Sequence, residues 1–219
     1  RDRGLGGQFI HERQLGNVIL MDDGLQNPSL KKDLVISVVS AARGVGNGKV
    51  IPAGPLRASL AQQLAVTDVV VINYDADTID DKSADELPAP DWLPRSYAGL
   101  VASVTVVPRG DHSWLADNPV VAFAGIGNPD RFYKLIRQHG GVLQEMTTFP
   151  DHHPLTDKDA KELLALTRSN GCQLVTTEKD LARLDPRLDS HSKLRLQRRA
   201  LAIELMVLGF GAERLKSKI

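Results

Sequence analysis

Four apolar residues, two acids and a glycine follow one another as Val18-Ile19-Leu20-Met21-Asp22-Asp23-Gly24. An apolar run without a polar break predicts a strand covered on both faces, as in parallel α/β sheets. In such sheets ligands bind just outside the carboxyl ends of the strands. Asp22 and Asp23 fall at that end, where carboxylates can hold Mg²⁺ for phosphate chemistry. A strand that merely ends in a polar turn would carry the same letters, so the weight of the acids depends on the rest of the chain.

Working outward, residues 34–39 form a second β-rich apolar run. It leads into Arg43-Gly44-Val45-Gly46-Asn47-Gly48-Lys49 and then Ile51-Pro52-Ala53-Gly54-Pro55-Leu56-Arg57. Leu56, Leu60 and Leu64 lie four apart, which predicts a short amphipathic helix after Pro55 with Arg57 at its start. Residues 68–73 predict a third buried strand. Strand, loop, helix and strand in this order are the grammar of a parallel α/β sheet. The acid- and proline-rich stretch 75–94 reads as a surface excursion, 101–107 as an extended connector and 111–118 as a turn region, with a domain boundary near it.

The α/β rhythm restarts at 120–124. Asn128 suits an N-cap and Pro129 the first helical position, with Phe132, Leu135 and Ile136 as the buried face and Gly140-Gly141 as the stop. Residues 142–149 predict a strand. Thr156 with Asp159 forms a capping-box pattern, ahead of a helix that buries Ala160, Leu163, Leu164 and Thr167 and stops at Gly171. Residues 173–176 and 201–207 predict two further strands.

The bulk numbers narrow the function classes. The chain has 219 residues, 42% hydrophobic and 25% charged, as in an ordinary globular protein. Its net charge of zero gives no footing for electrostatic capture of nucleic acid or a membrane surface. A single cysteine, Cys172, excludes a disulfide framework and fits a reducing compartment. No stretch approaches the ~18 apolar residues of a membrane span, and no signal peptide is visible. The opening Arg1-Asp2-Arg3-Gly4 reads as the middle of a protein.

Several constellations could carry chemistry. Gly44 to Lys49 invites a phosphate-loop reading, but the hydroxyl residue required after the lysine is Val50, and the prolines that follow cannot continue a helix. That reading is rejected. Arg57 can clamp a phosphate through its guanidinium, or be a solvated arginine. Asp151-His152-His153 follows a predicted strand and could serve proton transfer or metal ligation, or be a polar loop. Thr177-Glu178-Lys179-Asp180 reads as structural, a helix start capped by Thr177 or Asp180. His11, His112, His139 and His191 have no partners at ligand spacing and read as surface or packing residues. Asp75-Ala76-Asp77 reads as part of a solvated loop.

Taken in order, four of these segments resemble one family, the tetraacyldisaccharide 4′-kinases of lipid A biosynthesis. They are Asp22-Asp23-Gly24-Leu25-Gln26; Gly46-Asn47-Gly48 with Pro52-Ala53-Gly54-Pro55-Leu56-Arg57; Phe123-Ala124-Gly125-Ile126-Gly127-Asn128-Pro129; and Asp151-His152-His153 with Thr177-Glu178-Lys179-Asp180. The resemblance runs from about residue 17 to 207. It implies an α/β fold: part of a P-loop NTPase-like parallel core over 1–107, a smaller α/β lobe over 108–200, and a returning strand and tail over 201–219. An extended two-stranded link joins core and lobe.

The resemblance also implies a reaction: the γ-phosphate of ATP passes to the 4′-hydroxyl of a tetraacyldisaccharide 1-phosphate, at the cytoplasmic face of the bacterial inner membrane, with no nucleic acid involved. Asp22 and Asp23 would hold Mg²⁺, and Arg57 and Gln26 would contact phosphate or substrate. Asp151 and His152 would come from the small lobe towards the reacting hydroxyl. Two departures stand out. The family often has His where this chain has Asn27, and an acid where it has Ala58. The family's P-loop, a further catalytic acid and an N-terminal membrane-embedded helix lie upstream of the D-D-G motif. The chain therefore reads as the C-terminal portion of such a kinase, expected to be inactive alone. The competing readings are a DHH-type metal-dependent phosphoesterase, spelled by Asp151-His152-His153, and a non-catalytic α/β binding module.

Overall fold

The computed structural model describes residues 2–75, 79, 87, 90–117, 119–151 and 153–208. The chain is α/β and divides into two compact units. The first takes the described residues up to Thr105 and those from Met206, and the second takes Val106–Leu205.

The first unit begins with helix α1 (Arg3–Glu12), capped by the Asp2 carboxylate, which accepts from the Leu5 N–H. Its sheet has the order β1-β2-β3-β8, from β1 (Ile36–Ser40), β2 (Val69–Tyr74), β3 (Leu100–Pro108) and β8 (Ile203–Leu208). β1, β2 and β3 run parallel. β2 is the strand whose four consecutive apolar residues are all buried. Val69 and Val71 pack with Ala102 and Val104 on one face, and Val70 and Ile72 with Leu93 on the other. Each Å² of apolar surface removed from water here stabilises by about 25 cal/mol.

Three sequence expectations are corrected in this unit. Residues 18–21 form no strand: Val18 is 71% and Leu20 93% exposed, and the segment carries no regular structure. An apolar run becomes a strand only where a neighbour takes up its backbone N–H and C=O groups. Among the described residues no ladder includes this one, and the edge strand β1 pairs with β2 alone. The expected Leu56 helix starts four residues later, as α2 (Leu60–Ala65), because Ser59 and Gln62 form a capping box that sets its first turn. Leu56 instead bridges Val50, donating its N–H to Lys49 and accepting from Ile51, so Arg57 lies in a loop. The excursion 75–94, largely outside the described residues, ends in the core rather than on the surface: Leu93 is buried, and Trp92 packs beside it.

The second unit holds a fully parallel sheet of order β5-β4-β6-β7, formed by β4 (Val120–Ala124), β5 (Leu143–Thr148), β6 (Gln173–Thr177) and β7 (Arg198–Leu201). All five residues of β4 are buried. Helix α3 (Pro129–Gln138) covers one face, packing Phe132, Leu135 and Ile136 against Val120, Ala122 and Ala124. Helices α4 (Asp157–Asn170) and α6 (Asp189–Gln197) cover the other. Leu163, Leu164 and Leu194 meet Val121, Phe123 and Leu174 there. Short helix α5 (Glu178–Ala182) follows β6 directly.

The local signals in this unit act as the sequence predicts. Asn128 caps α3 by accepting from the Arg131 N–H, Thr156 and Asp159 close the α4 capping box, and Gly171 ends α4 at φ +60°. One expectation is corrected: 201–207 is not a single strand. The run breaks at Ala202, whose carbonyl accepts from the Arg109 N–H. The residues before it extend β6's sheet as β7 and those after it pair with β3 as β8. A mostly apolar run, broken only by Glu204, thus serves two sheets.

Candidate functional site

In the first unit the acids after the apolar run form a tight turn. Asp23 adopts φ +50°, a left-handed conformation that aspartate tolerates better than most side chains. Its carbonyl accepts from Arg3 Nη1 at 3.1 Å. Its carboxylate accepts from Arg57 Nη1 at 2.9 and 2.8 Å, one to each oxygen. Asp22 is exposed and makes no hydrogen bond or ion pair among the described residues. Gln26 donates through Nε2 to Gln63 Oε1 at 3.3 Å. The Asn27 side chain accepts from the Ser29 N–H and hydroxyl and closes the turn, while the Asn27 N–H donates to the Gly24 carbonyl.

The glycine-rich and proline-rich motifs lie on one another between β1 and α2. Asn47 Nδ2 donates to the Ala53 carbonyl at 2.8 Å, and Asn47 Oδ1 accepts from the Lys49 N–H. Gly54 is required at this crossing, since a Cβ there would overlap Asn47 Oδ1 and the Lys49 carbonyl. This packing delivers Arg57 to Asp23. The connection leaves the end of β1, the edge where ligands of parallel sheets collect. The structure thus brings together Asp23 and Arg57, and carries Gln26 on the same turn as Asp22 and Asp23.

Magnesium suits this donor set in part. Mg²⁺ is commonly held by one or two carboxylates together with phosphate oxygens. Asp22 has the free oxygens for it. Asp23 would offer its own once Arg57 is drawn to another anion. No group of three or more His, Cys, Asp or Glu side chains capable of holding a metal occurs among the described residues.

In the second unit the loops after β4, β5 and β6 meet at the carboxyl end of the sheet. Asp151 sits 3.7 Å from Lys179 Nζ. Its Oδ2 also lies 3.5 Å from the point a Cβ on Gly127 would occupy. His152 lies outside the described residues, as do Ala76 and Asp77 of the acidic triplet. His153 belongs to the fold: a ring nitrogen lies 3.1 Å from the Asp159 carboxylate, and its ring stacks on Phe149 with centroids 5.0 Å apart. Burial pushes the Asp159 carboxyl up, but hydrogen bonds from the Thr156 N–H and hydroxyl and from His153 outweigh it and hold the group below the usual aspartate range. With His153 so engaged, the literal D-H-H spelling lends no support to a phosphoesterase.

Thr177-Glu178-Lys179-Asp180 caps α5 as the sequence predicts, with Thr177 Oγ1 accepting from the Asp180 N–H. Composition did not reveal how deeply Asp180 is set. It is 1% exposed. It accepts from the Gly125 N–H and the Thr177 hydroxyl, and pairs with Arg183 at 3.1 Å. Arg183 in turn donates to the Gly125 carbonyl at 2.8 Å. Both polar groups of Gly125 are therefore held by one buried ion pair, which fixes the Gly125-Ile126-Gly127 loop beside Asp151. Gln63 carries no sequence signal, because its partner Gln26 lies 37 residues away; Lys179 lies inside the Thr177-Glu178-Lys179-Asp180 motif, but its pairing with the distant Asp151 is visible only in the structure.

The family model for tetraacyldisaccharide-1-P 4′-kinase matches residues 1–219. A tetraacyldisaccharide 4′-kinase of Afipia carboxidovorans is 40% identical over 195 residues, which are 88% of this chain and 55% of that protein. One from Nitrobacter hamburgensis is 46% identical over 175 residues, 78% of this chain and 50% of that protein. The chain thus spans about half the length of the curated relatives it matches. Among solved structures, LpxK from Aquifex aeolicus in complex with ATP superposes with a TM-score of 0.60 at 20% identity, over 99% of this chain and 61% of that one. That likeness establishes the fold. A family-model match over every residue, with relatives 40% and 46% identical, makes this protein a member of the tetraacyldisaccharide-1-P 4′-kinase family.

Proposed function

We propose that this chain contributes to ATP-dependent phosphorylation of the 4′-hydroxyl of a tetraacyldisaccharide 1-phosphate, in lipid A biosynthesis, at the cytoplasmic face of the inner membrane. Family membership supports the reaction. The Asp23–Arg57 pair, on the turn that also carries Asp22 and Gln26, is the observation that carries the reading onto particular residues.

Phosphoryl transfer asks a protein chiefly for positioning and charge neutralisation. Arg57 binds a phosphate oxygen pair, exchanging the Asp23 carboxylate for the ligand's anion. That exchange leaves Asp23 beside Asp22 as a second oxygen donor. Mg²⁺ held there would neutralise charge on the phosphates. Gln26 supplies a neutral amide able to donate to phosphate or accept from a sugar hydroxyl. Asp151 and His152 are assigned to the acceptor hydroxyl on the resemblance alone, Asp151 as the anion that orients the imidazole.

The test is transfer of ³²P from ATP to tetraacyldisaccharide 1-phosphate by the intact product of the gene, with Asp22→Asn as control. Product carrying a 4′-phosphate, lost in the variant, supports the reading. An intact product that binds neither ATP nor the lipid and yields no 4′-phosphate removes it.

A further inference from the structure

Gln63 is the side chain of α2 that touches both halves of the first unit's cluster. Its Nε2 donates to the Ala58 carbonyl at 2.7 Å, and its Oε1 accepts from Gln26 Nε2 at 3.3 Å. One amide thereby joins the turn bearing Asp22, Asp23 and Gln26 to the loop bearing Arg57. The only other side-chain bond between these segments is the exposed pair Asp23–Arg57 among the described residues. A donor and an acceptor on one planar group are both used, and a carboxamide supplies them. Asn is too short by one methylene. α2 is itself anchored below this point: the Gln63 carbonyl accepts from the Thr67 hydroxyl, which bonds to Ser37 of β1. The clasp is therefore tied to the sheet.

We propose that Gln63 is a positioning residue, which holds Gln26 and the Arg57 loop at the spacing that a phosphate-bearing ligand requires. The inference rests on the phosphotransferase reading above.

Two measurements test it. Gln63→Met keeps the length, volume and helix propensity of the side chain while removing both hydrogen-bonding atoms. Hydrogen–deuterium exchange of the intact gene product is compared with and without the substitution. Exchange over 22–28 and 56–59 is expected to rise about five- to tenfold, with the β4–α3 region unchanged and the same Tm. Steady-state kinetics of the intact product are then expected to show KM for ATP about tenfold higher with kcat nearly unchanged. The double variant with Gln26→Ala should be no worse than the poorer single one.

Unchanged exchange in both segments overturns the clasp, whatever the activity. Faster exchange with unaltered KM on an active enzyme overturns the positioning role. A fall in kcat and Tm at constant KM does the same, since it marks a purely structural residue. An inactive wild type removes the phosphotransferase reading and the positioning role that depends on it, while the exchange comparison still decides the clasp.

Discussion

Each unit places an aspartate–arginine pair among its candidate-site loops, and the two pairs differ in burial. In Asp180–Arg183 the side chains are 2% and 20% exposed, and both also bond to Gly125. In Asp23–Arg57 they are 61% and 58% exposed, and the contact is made by a single guanidinium nitrogen. The buried pair cannot part without leaving a charge and a peptide group unsatisfied in a poor solvent for both. The exposed pair gives up little on parting, because water screens it and accepts both partners. One therefore holds a loop in place, and the other can part at little cost.

Removing the buried carboxylate is the most severe way to probe this contrast. Asp180→Ala is expected to lower the unfolding free energy by about 3 kcal/mol, since Arg183 and the Gly125 N–H lose their partner together. Denaturant unfolding followed by fluorescence measures it, and a loss below about 1 kcal/mol would break the contrast.

Next is the exposed pair. Arg57→Met should change the unfolding free energy by less than about 0.5 kcal/mol. The same variant should reduce phosphoryl transfer by the intact gene product about a hundredfold, or ~2.7 kcal/mol of transition-state stabilisation. Measuring stability and turnover on one preparation separates the two effects.

A smaller effect is expected at the start of α4. Thr156→Ala should cost about 1 kcal/mol through loss of the cap. The Asp159 carboxyl in that box titrates below its ordinary value. A group so depressed stabilises the fold above the unfolded-state pKa of about 4 and ceases to do so as pH falls through the folded value. Tm is therefore expected to drop as pH goes below about 4, and Asp159→Asn to flatten that part of the profile. The mildest test is ionic strength. Raising NaCl to 1 M should loosen Arg57 from Asp23, read by NMR of the guanidinium protons, and leave Arg183 unaffected.

Much of the second unit was legible in the sequence, because its signals are local. Asn128-Pro129, Thr156 with Asp159, and Gly171 each act within one helical turn, and the apolar spacing of α3 and α4 repeats within each helix. The four ordered motifs carried the family in the same way, as letters at short range. The α/β class followed from the alternation of apolar runs and capped helices.

What only the tertiary structure decided depends on partners far along the chain. The run 18–21 and the run 69–72 spell the same apolar pattern, yet Leu20 is 93% exposed and Val70 is fully buried. β2 is flanked by two strands and covered on both faces, while no strand flanks 18–21 among the described residues. The choice of Asp180 as a buried anchor and Asp23 as an exposed one rests on Gly125 and Arg57, which lie 55 and 34 residues away in the sequence. Caps and periodicity are properties of a segment, whereas pairing, burial and the strength of a charge pair belong to what surrounds it.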